Sequence, residues 1–583
     1  MCSLRIDDGE VSSLDLRNKE EVSLLNDIIQ EPNLIWVSYS LSAEITSLLR
    51  LGIDVTKMVC IDLMVESRMI TMSHHEYFTM DSSMMGQVAC LLGKDVESEK
   101  AHKDKMRDLI LGQESWNKEE WASIVAYCES DIADLRALFI KIREIHEAAD
   151  HPYGLDTITA RADYVRKTTE MDFASKGFPV DTQSVNNIFK NREGVKINLI
   201  RNLSQEWREC FVVSGNSFIL KQHLLEKLVA SKGWKNWPRT DTGKLSLDTD
   251  TLKELSKRIP EAQEIRQYRQ TENTLRSTDF SDKIVDGYIK PRTSAFTAVT
   301  GRNGLEPKRG YLLNLPKWIR KIIHPAEGMI LLSGDWSQQE IAVGAALSKD
   351  QNLIDAYNTG DIYVAMAKMA NMIPEDGDKK SHPIERELVK ALQLALGYGK
   401  GVKALGVDFH AIMGGGEAQA SAKARQIHAW HQRAFKDYWA WANQGVRDAY
   451  SKGWTEALDG WVSWVTVNRT KKTQLLNFPM QSTGAVMMRK ATLMFYEAWR
   501  NGLLPPLLCS QHDGFYFNTS ETELEKHNKL MIEIMEQASL DTIGLLVRAD
   551  TTVYNSKDGY IPKGWADRYQ VIWDLCTRSK NTI

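Results

Sequence analysis

The sequence contains no apolar run near the roughly 18 residues that a membrane-spanning helix requires, and its first ten residues, MCSLRIDDGE, hold no basic stretch followed by an apolar one. Low-complexity stretches are also missing. The seven cysteines are scattered, with no CxxC pair and no Cys/His spacing typical of a zinc site. We therefore expect a cytoplasmic globular protein with reduced thiols and no membrane contact.

A net charge of one sign is absent as well. Lys and Arg number 73 and Asp and Glu 77, so the overall charge does not indicate a nucleic-acid partner. Basic residues gather locally in KNWPRTDTGK, PKRGYLLNLPKWIRK and NRTKK. Such stretches suit phosphate contacts, but each could equally be a solvated surface. At 583 residues the chain is too long for one compact core, so we expect several packed units with clefts between them.

The pattern of apolar residues differs between three regions of the chain. Residues 1 to about 150 alternate short strands and helices, beginning with a hairpin in SLRIDDGEVSSLDL whose turn is Asp8-Gly9. From about 185 to 290 the pattern predicts long helices, interrupted by a Pro/Gly/Thr-rich loop, that could form an arm gripping a duplex. Beyond 290, strands at MILLSG and PPLLCS…GFYF enclose a mainly helical block from about 350 to 500.

Two aspartates stand where apolar strands end. In GMILLSGDWSQQEI the strand runs out at Asp335 and a helix-starting stretch follows. In PPLLCSQHDGFYF, apolar residues lead to a tight turn containing Asp513, after which a strand resumes. If the two strands are neighbours, the carboxylates meet and can hold two magnesium ions about 4 Å apart. Either aspartate alone could instead be a turn or helix-cap residue.

A helix in IERELVKALQLALGYGKG lies between these aspartates in the chain. Arg386, Lys390, Leu394 and Tyr398 recur every four residues and share roughly one face. Cations on such a face can contact a triphosphate, while flat groups stack on a base. The same pattern is also that of a surface helix with a partly buried stripe.

Together these segments resemble the DNA polymerase I family, or family A. DWSQQE is similar to its motif A, RELVKALQLALGYG to motif B and QHDG to motif C, and the resemblance covers roughly residues 155–583. LALGYGKG and DIYVAMAKM are most similar to the bacteriophage branch. The resemblance implies a template-directed DNA polymerase that adds dNTPs to a primer 3′-hydroxyl with two Mg²⁺ ions, for which Mn²⁺ can substitute. It also implies a role in phage replication, in the host cytoplasm.

A fold class follows from the same resemblance. It predicts an α/β multidomain protein, with an α+β polymerase right hand of palm, fingers and thumb behind an N-terminal ribonuclease H-like exonuclease domain. The predicted boundaries are 1–150 for the exonuclease-like domain, 151–185 for the start of the palm, 186–290 for the thumb, 291–350 for the palm with motif A, 351–445 for the fingers with motif B, and 446–583 for the palm with motif C.

Carried over by position, the resemblance assigns a role to each candidate residue. The metal ions would be held by Asp335, Asp513 and the backbone carbonyl of Trp336, and Lys390 would protonate the pyrophosphate. The nucleotide would contact Arg386, Lys390, Glu340, Leu394, Tyr398, Gln338 and Tyr363, with Glu340 crowding the sugar 2′ position. Primer and template would contact Arg302, Asn477, Gln481 and His512.

Several positions depart from the family pattern. Leu394 replaces an aromatic residue, Gln339 an aliphatic one, Tyr363 a histidine of cellular members, and Gly514 an acidic residue. We expect Leu394 to alter discrimination against nucleotide analogues, because a flat contact beside the nucleotide is lost.

The N-terminal segment resembles the 3′–5′ exonuclease family only in part. YCESD, with Tyr127 and Asp131, is similar to the third exonuclease motif, and Glu44 stands where the second motif has Asp. The first motif, Asp-x-Glu on an opening strand, is missing, since Asp8 and Glu10 fall in the predicted hairpin. We therefore expect weak or absent proofreading, unless sequence upstream restores that strand.

Two alternative functions stay open at this point. One is a single-subunit RNA polymerase, although Glu340 argues against space for a ribonucleotide. The other is a non-catalytic duplex-binding protein. The expected partners are primer-template DNA and dNTPs, together with other replication proteins, and we expect a monomer.

Overall fold

The structure is a computed structural model that describes residues 2–7, 9–214, 217–277, 279–291, 293–305, 312–397 and 400–577. Within these ranges, no helix is both long and apolar enough to cross a membrane.

The N-terminal part mixes short strands with helices, as predicted. Its elements are β1 (Cys2–Leu4), β2 (Ser12–Leu14), α1 (Lys19–Ile29), β3 (Ile35–Ser38), α2 (Leu41–Arg50), β4 (Val59–Asp62), α3 (Leu63–Thr71), α4 (Met84–Leu92), α5 (Glu97–Gly112), α6 (Lys118–Asp131) and α7 (Leu135–Ala148). Side-chain caps start several of these helices, since Asn18 accepts from the backbone of Glu20 and Asn117 forms a capping box with Glu120.

The strands of this part form two separate pairs. β1 and β2 make the predicted antiparallel hairpin, and β3 and β4 run parallel. In the described residues these pairs are two sheets of two strands rather than one continuous sheet. The hairpin connection spans residues 5–11, so it is longer than the predicted Asp8-Gly9 turn, and Asp8 itself lies outside the described residues.

The segment that follows the N-terminal part is mainly helical, but its helices are shorter than the sequence predicts. Its elements are α8 (Leu155–Ala174), β5 (Phe178–Pro179), α9 (Thr182–Lys190), α10 (Arg192–Arg201), α11 (Gln205–Arg208), β6 (Phe211–Ser214), β7 (Ser217–Leu220), α12 (Gln222–Ser231), α13 (Thr249–Arg258), α14 (Ala262–Ser277), β8 (Tyr288–Ile289), β9 (Thr293–Ser294) and β10 (Gly304–Leu305). The expectation of long helices here is wrong. Asn191 leaves the helical conformation (φ −113°, ψ 36°), and β6 and β7 form an antiparallel hairpin that the sequence analysis missed.

A helical block follows the first strand of the central sheet, as predicted. The elements are α15 (Lys317–Arg320), β11 (Met329–Trp336), α16 (Gln339–Ser348), α17 (Gln351–Asn358), α18 (Ile362–Met369), α19 (Pro383–Gly397), α20 (Val402–Met413), α21 (Glu417–Ala434) and α22 (Lys436–Lys452). Leu388, Leu392 and Leu405 lie in a small core of their own between α19, α20 and α21. This local core makes the three helices a packed unit beside the sheet.

The last part of the chain completes the central sheet. Its elements are β12 (Trp454–Glu456), β13 (Val462–Trp464), α23 (Lys472–Arg500), β14 (Cys509–Gln511), β15 (Gly514–Ser520), α24 (Leu524–Ile543), β16 (Ala549–Tyr554) and α25 (Asp567–Thr577). The sheet is antiparallel, in the order β14-β15-β11-β16. A Cβ at Gly334 would lie 2.6 Å from Met531 Cε, so glycine lets α24 pack closely on β11.

Buried histidines lie at the seam between the N-terminal part and the β12–β13 hairpin. His146 Nδ1 lies 2.9 Å from His151 Nδ1, and His151 Nε2 lies 3.3 Å from a carboxylate oxygen of Glu456. The His146 ring stacks on Tyr153 with centroids 4.2 Å apart. Its Nε2 atom is buried without a hydrogen-bond partner among the described residues. Burial lowers the pKa of His146 to about 2, with a smaller contribution from His151.

Because His146 is buried, we expect the free energy of unfolding to fall in acid. Because the folded pKa of His146 lies below the unfolded value near 6.5, the unfolded chain binds the extra proton, and stability falls as the pH drops below about 6.5. The expected loss from His146 at pH 5 is about 2 kcal/mol. Urea unfolding of the wild type and His146→Phe at pH 7.5 and pH 5, followed by tryptophan fluorescence, measures it.

His146→Phe should therefore show a smaller difference between the two pH values, whatever its stability at pH 7.5. His75→Phe, at an exposed position, serves as the control and should keep the wild-type pH dependence. An unchanged pH dependence in His146→Phe would contradict the assignment.

Candidate active site

The structure brings the two predicted aspartates to neighbouring strands. Asp335 on β11 lies opposite Gly514, the residue that follows Asp513 at the start of β15. The backbone N–H of Trp336 donates to the carbonyl oxygen of Asp513 at 3.4 Å. The prediction that these strands are adjacent is confirmed, and it depended on a pairing across nearly 180 residues of chain.

Both carboxyl groups are harder to ionise than an exposed aspartate. Burial raises the pKa of Asp335, and the nearby charges of Asp513 and Asp550 raise it further. Burial also raises the pKa of Asp513, against the opposing effects of Arg302, His512 and Lys563. Two half-buried like charges repel each other unless a cation lies between them. The pair therefore suits a divalent cation.

The oxygen-donor set fits magnesium better than a metal that needs a full protein cage. Across the part of the chain that the structure describes, no group of three or more His, Cys, Asp or Glu side chains could hold a metal ion together. Magnesium usually takes one or two carboxylates and completes its shell with substrate phosphates and water. Asp335 and Asp513, on or next to paired strands, can supply those carboxylates.

The predicted nucleotide-binding helix is α19, and its two cations have acidic neighbours. Arg386 Nε donates to Asp361 Oδ2 at 2.8 Å, and its guanidinium lies 5.1 Å from the centre of the Tyr363 ring. Lys390 Nζ lies 3.6 Å from Glu387. Both cations thus lie beside carboxylates that a triphosphate could replace. Tyr398 falls outside the described residues.

A cavity of about 390 Å³ opens between the sheet and the helical block. Its lining includes many of the predicted residues, namely Arg302, Gln338, Glu340, Tyr363, Leu394, His512 and Asp513. Gln339, Gly344, Gln393, His431, Tyr438 and Met480 complete much of the wall. Asp335, Arg386, Lys390, Asn477 and Gln481 are not part of this lining. The cavity therefore joins one of the two aspartates to the residues predicted to hold the sugar and base.

Glu340 is tied to the predicted DNA-contacting residues. Gln481 Nε2 donates to Glu340 Oε1, and Arg302 Nη2 lies 4.0 Å from the same oxygen. Arg302 Nε also donates to the backbone carbonyl of Gln481 at 3.4 Å. Asn477, one turn before Gln481 on α23, has its Oδ1 atom buried without a hydrogen-bond partner in the described ranges. These contacts fix the side chains between the sheet and α23.

Trp336 is buried in the sheet rather than exposed to the cavity. Its indole Nε1 donates to the backbone carbonyl of Met535 at 3.0 Å. The predicted role of its backbone carbonyl as a metal ligand stays a prediction.

The structure explains why glycine occupies position 514, where the sequence pattern of the family has an acidic residue. A Cβ there would lie 3.0 Å from the carbonyl oxygen of Gly334 and 3.5 Å from Asp335 Cβ. An acidic side chain would therefore require a shift of β11 or β15.

Some residues near the site escaped the sequence analysis. Asp550 on β16 lies opposite Asp335 and accepts a hydrogen bond from Ser337 Oγ, and Lys563 lies close enough to lower the pKa of both aspartates. His431 and Tyr438 form the back wall of the cavity. The alternating stretch LLVRADTTVY could have indicated a third strand, but no local signal connects it to β11.

The structure separates the exonuclease-like residues between two helices. Tyr127 and Asp131 lie one turn apart on α6, where burial and then Asp131 raise the pKa of Tyr127. Lys103 Nζ lies 3.8 Å from Asp131. Glu44 lies on α2, and crowding by the surrounding protein raises its pKa to about 7 even though part of the side chain reaches solvent. The first exonuclease motif has no counterpart among the described residues of this part.

Comparison with known proteins places this geometry in a family. DNA polymerase I of Aquifex aeolicus (strain VF5) is 24% identical over 572 residues, which cover 94% of this chain and 90% of that protein. The thermostable DNA polymerase I of Thermus aquaticus is 26% identical over 353 residues, or 56% of this chain and 40% of that protein. The chain thus spans most of the first relative but only about two fifths of the second.

A solved structure shares the fold. The POL domain of Pol1 from M. smegmatis, in complex with DNA primer-template and dNTP, matches with a TM-score of 0.71 over 94% of this chain and 91% of that chain, at 19% identity. This likeness supports a mixed α/β polymerase fold, as the sequence predicted. The profile of DNA polymerase family A matches residues 196–556, well over half of the chain. The chain belongs to DNA polymerase family A.

Proposed function

We propose that this DNA polymerase extends a primer 3′-hydroxyl with dNTPs by phosphoryl transfer at Asp335 and Asp513, using two magnesium ions. The observation that carries the proposal is the pairing of Asp335 with Gly514, which brings Asp513 near enough to Asp335 for its charge to raise the pKa of Asp335. Asp513 also lines the cavity. Template-directed DNA synthesis is the activity of the family to which the chain belongs.

The two aspartates and the Trp336 carbonyl would hold the ions. When bound, such ions lower the pKa of the 3′-hydroxyl and neutralise charge on the departing pyrophosphate. Manganese would substitute, since it also prefers oxygen ligands. The raised pKa values of Asp335 and Asp513 support this assignment, because cation binding would relieve the repulsion between them.

The cations of α19 would bind the triphosphate. Arg386 would leave its ion pair with Asp361 and bind phosphate oxygens. Lys390 would likewise leave its ion pair with Glu387 and bind phosphate oxygens. Lys390 would then donate a proton to the pyrophosphate as it leaves. Because these side chains already face carboxylates, the exchange costs little side-chain reordering.

The remaining cavity residues would hold the base and sugar. Tyr363, Leu394 and Gln338 line the cavity and would contact the nucleotide. Tyr398, which lies outside the described residues, is proposed as a further nucleotide contact. On the DNA side, Arg302, Asn477, Gln481 and His512 would contact primer and template near the growing end. Minor-groove acceptors are common to all correct base pairs, so such contacts test pair geometry without reading sequence.

Glu340 is expected to exclude ribonucleotides. Its carboxylate lines the cavity and is held by Gln481, so it would occupy the space that a 2′-hydroxyl needs. Glu340→Ala should raise the ratio of rNTP to dNTP incorporation by about a hundredfold, measured as kcat/KM on a primed template. Glu327→Ala, at an exposed loop position, is the control. Unchanged selectivity in Glu340→Ala would remove Glu340 from this role.

Primer extension on a defined template tests the proposed function. The purified chain should extend the primer with dNTPs in magnesium or manganese, copy the template sequence and stop when a chelator is added. Efficient extension with rNTPs alone would favour an RNA polymerase. DNA binding without extension under any metal would favour a non-catalytic role.

We further propose that the N-terminal part is a degenerate ribonuclease H-like exonuclease domain in a polymerase of the bacteriophage branch, acting as a monomer with other replication proteins. We also propose the domain order given by the sequence, with a thumb at 186–290 and fingers at 351–445. Tyr127 and Asp131 on one face of α6 support the likeness.

This proposal predicts weak or absent proofreading. Among the predicted exonuclease-like residues, the carboxylates that the structure describes are Glu44 on α2 and Asp131 on α6, and two-metal hydrolysis needs more ligands. A 3′-mismatched primer incubated without dNTPs should stay intact with the wild type and with Asp131→Ala alike. Rapid degradation by the wild type that Asp131→Ala abolishes would overturn the prediction.

A further inference from the structure

The loop between α3 and α4 carries four aromatic side chains, of which His75 and Phe78 are exposed and His74 and Tyr77 are half-buried. His74 stacks on His75 with ring centroids 4.8 Å apart and lies 5.1 Å from the Tyr77 ring. Phe78 is 58% exposed and Met80 84% exposed. Exposed flat side chains of this kind can stack on bases.

The polymerase part supplies a second segment to the same surface. The segment 466–472 leads into α23, and Arg469 Nη1 donates to the backbone carbonyl of His75 at 3.3 Å. The backbone N–H of Trp464 donates to Ser73 Oγ at 2.9 Å. Val467 is 68% exposed. We call residues 74–80 and 467–472 together the seam surface.

The charge of the seam surface is mostly positive. Arg469, Lys471 and Lys472 are exposed on it, and Lys141 Nζ lies 5.4 Å from the centre of the Tyr77 ring. Glu76 is the acidic side chain within the surface, and it lies 3.4 Å from His75. Exposed aromatic side chains mixed with cations form the pattern that binds single-stranded nucleic acid, since bases stack while phosphates contact the cations.

The seam surface lies next to the DNA-contacting stretch of α23. Lys472 begins this helix, and Gln481 follows nine residues later, about 14 Å along the axis at 1.5 Å per residue. Gln481 in turn donates to Glu340 in the nucleotide cavity. A DNA strand bound at the seam surface would therefore reach the nucleotide cavity after few intervening nucleotides.

We propose that the seam surface binds the unpaired template strand ahead of the active site, an inference that rests on the proposed polymerase function. Val465 and Leu475, which flank the second segment of the seam surface, pack with Val446 and Ala449 of α22, a helix that begins inside the proposed fingers and ends beyond them. The helices of 186–290, proposed as the thumb that grips finished duplex, belong to a different core. A surface apart from that thumb would contact DNA that is not yet paired, which in a primed template is the template strand ahead of the primer end.

Binding assays with two primer-templates test this assignment. One has a single-nucleotide 5′ template overhang and the other an overhang of about 15 nucleotides, a length that spans one single-strand site. The wild type should bind the long overhang about tenfold more tightly. Phe78→Ala and Lys472→Ala should each lose about fivefold or more on the long overhang and less than about twofold on the short one. Lys472→Ala should also lower the salt dependence of long-overhang binding by about 0.7 in the log–log slope.

Matched controls separate this role from a structural one. Leu111→Ala removes a side chain that is 77% exposed on α5, and Lys529→Ala a side chain that is 79% exposed on α24. Both should bind each substrate like the wild type. Equal losses by the seam variants on both overhangs, or no loss, would overturn the proposal.

A third substrate distinguishes template from primer. It carries an unpaired primer 3′ end and a short template overhang. Losses confined to this substrate would assign the surface to frayed primer and overturn the template assignment. Extension of the short-overhang substrate by Phe78→Ala should match the wild type, whereas a wild type that extends neither substrate would instead contradict the proposed function.

Discussion

Replacing Asp513 by asparagine should lower the rate of nucleotide addition at least about a thousandfold and leave primer-template binding within about twofold of the wild type. Asparagine keeps the size of the side chain but not the charge that would hold a divalent cation. Asp335→Asn should have the same effect, since the two carboxylates lie on paired strands. Single-turnover incorporation of one dNTP measures the rate, and fluorescence anisotropy measures binding.

The double variant supplies a further test of the pair. If both aspartates hold the same ions, losing the second should cost little beyond losing the first. Asp541→Asn, at an exposed position of α24, is the matched control and should retain wild-type activity. Full activity in either single variant, or losses that multiply, would contradict a shared site.

Thermal stability gives an independent readout of the same repulsion. Because burial raises both pKa values in the folded state, and neighbouring carboxylates raise that of Asp335 further, ionised Asp335 and Asp513 weaken folding at neutral pH. Asp513→Asn should therefore melt at a higher temperature than the wild type when divalent ions are chelated. A lower melting temperature would contradict this account of the site.

The second large effect is expected at the cations of α19. Lys390→Ala should lower kcat, and Arg386→Ala should mainly raise KM for dNTP, with kcat/KM falling about a hundredfold in each. The split follows from their proposed roles, because Lys390 would act on the leaving pyrophosphate and Arg386 would hold the bound triphosphate. Steady-state incorporation over a range of dNTP concentrations separates the two parameters.

Lys403→Ala, on the exposed side of α20, controls for loss of charge near the helical block. Its kcat and KM should equal those of the wild type. Wild-type kcat/KM in Arg386→Ala or Lys390→Ala would exclude that residue from triphosphate binding.

Local sequence was enough to predict the parts of the site that depend on one element. The apolar run before Asp335 predicts β11, the QHDG turn predicts the β14–β15 hairpin, and the four-residue spacing from Arg386 predicts a helix face. Each signal is contained in about ten to twenty residues. The adjacency of β11 and β15 followed only from assuming that the two aspartates act together.

Features set by distant pairing could not be predicted in the same way. Asp550 reaches Asp335 because β16 joins the other edge of β11, and nothing in its own segment indicates that partner. Asp361 faces Arg386 through the packing of α18 on α19, and His431 reaches the cavity from α21. These contacts arise from tertiary packing, which periodicity does not encode.

In the segment 186–290, the helix boundaries themselves could not be predicted from apolar periodicity. The apolar periodicity of 186–210 predicts one long helix, whereas Asn191 leaves the helical conformation there, and β6 and β7 form a hairpin after it. A short apolar run such as FVVS is compatible with either a strand or a buried helix segment, so periodicity alone does not indicate β6.

The most direct test of the central claim is the number of manganese ions bound in a complex with primer-template and a non-hydrolysable dNTP, measured by electron paramagnetic resonance. The account predicts two bound ions for the wild type. The double variant Asp335→Asn/Asp513→Asn should lose at least one ion, and any ion that stays on the triphosphate should bind at least about tenfold more weakly. Two ions of unchanged affinity in the double variant would show that these aspartates do not hold the metal.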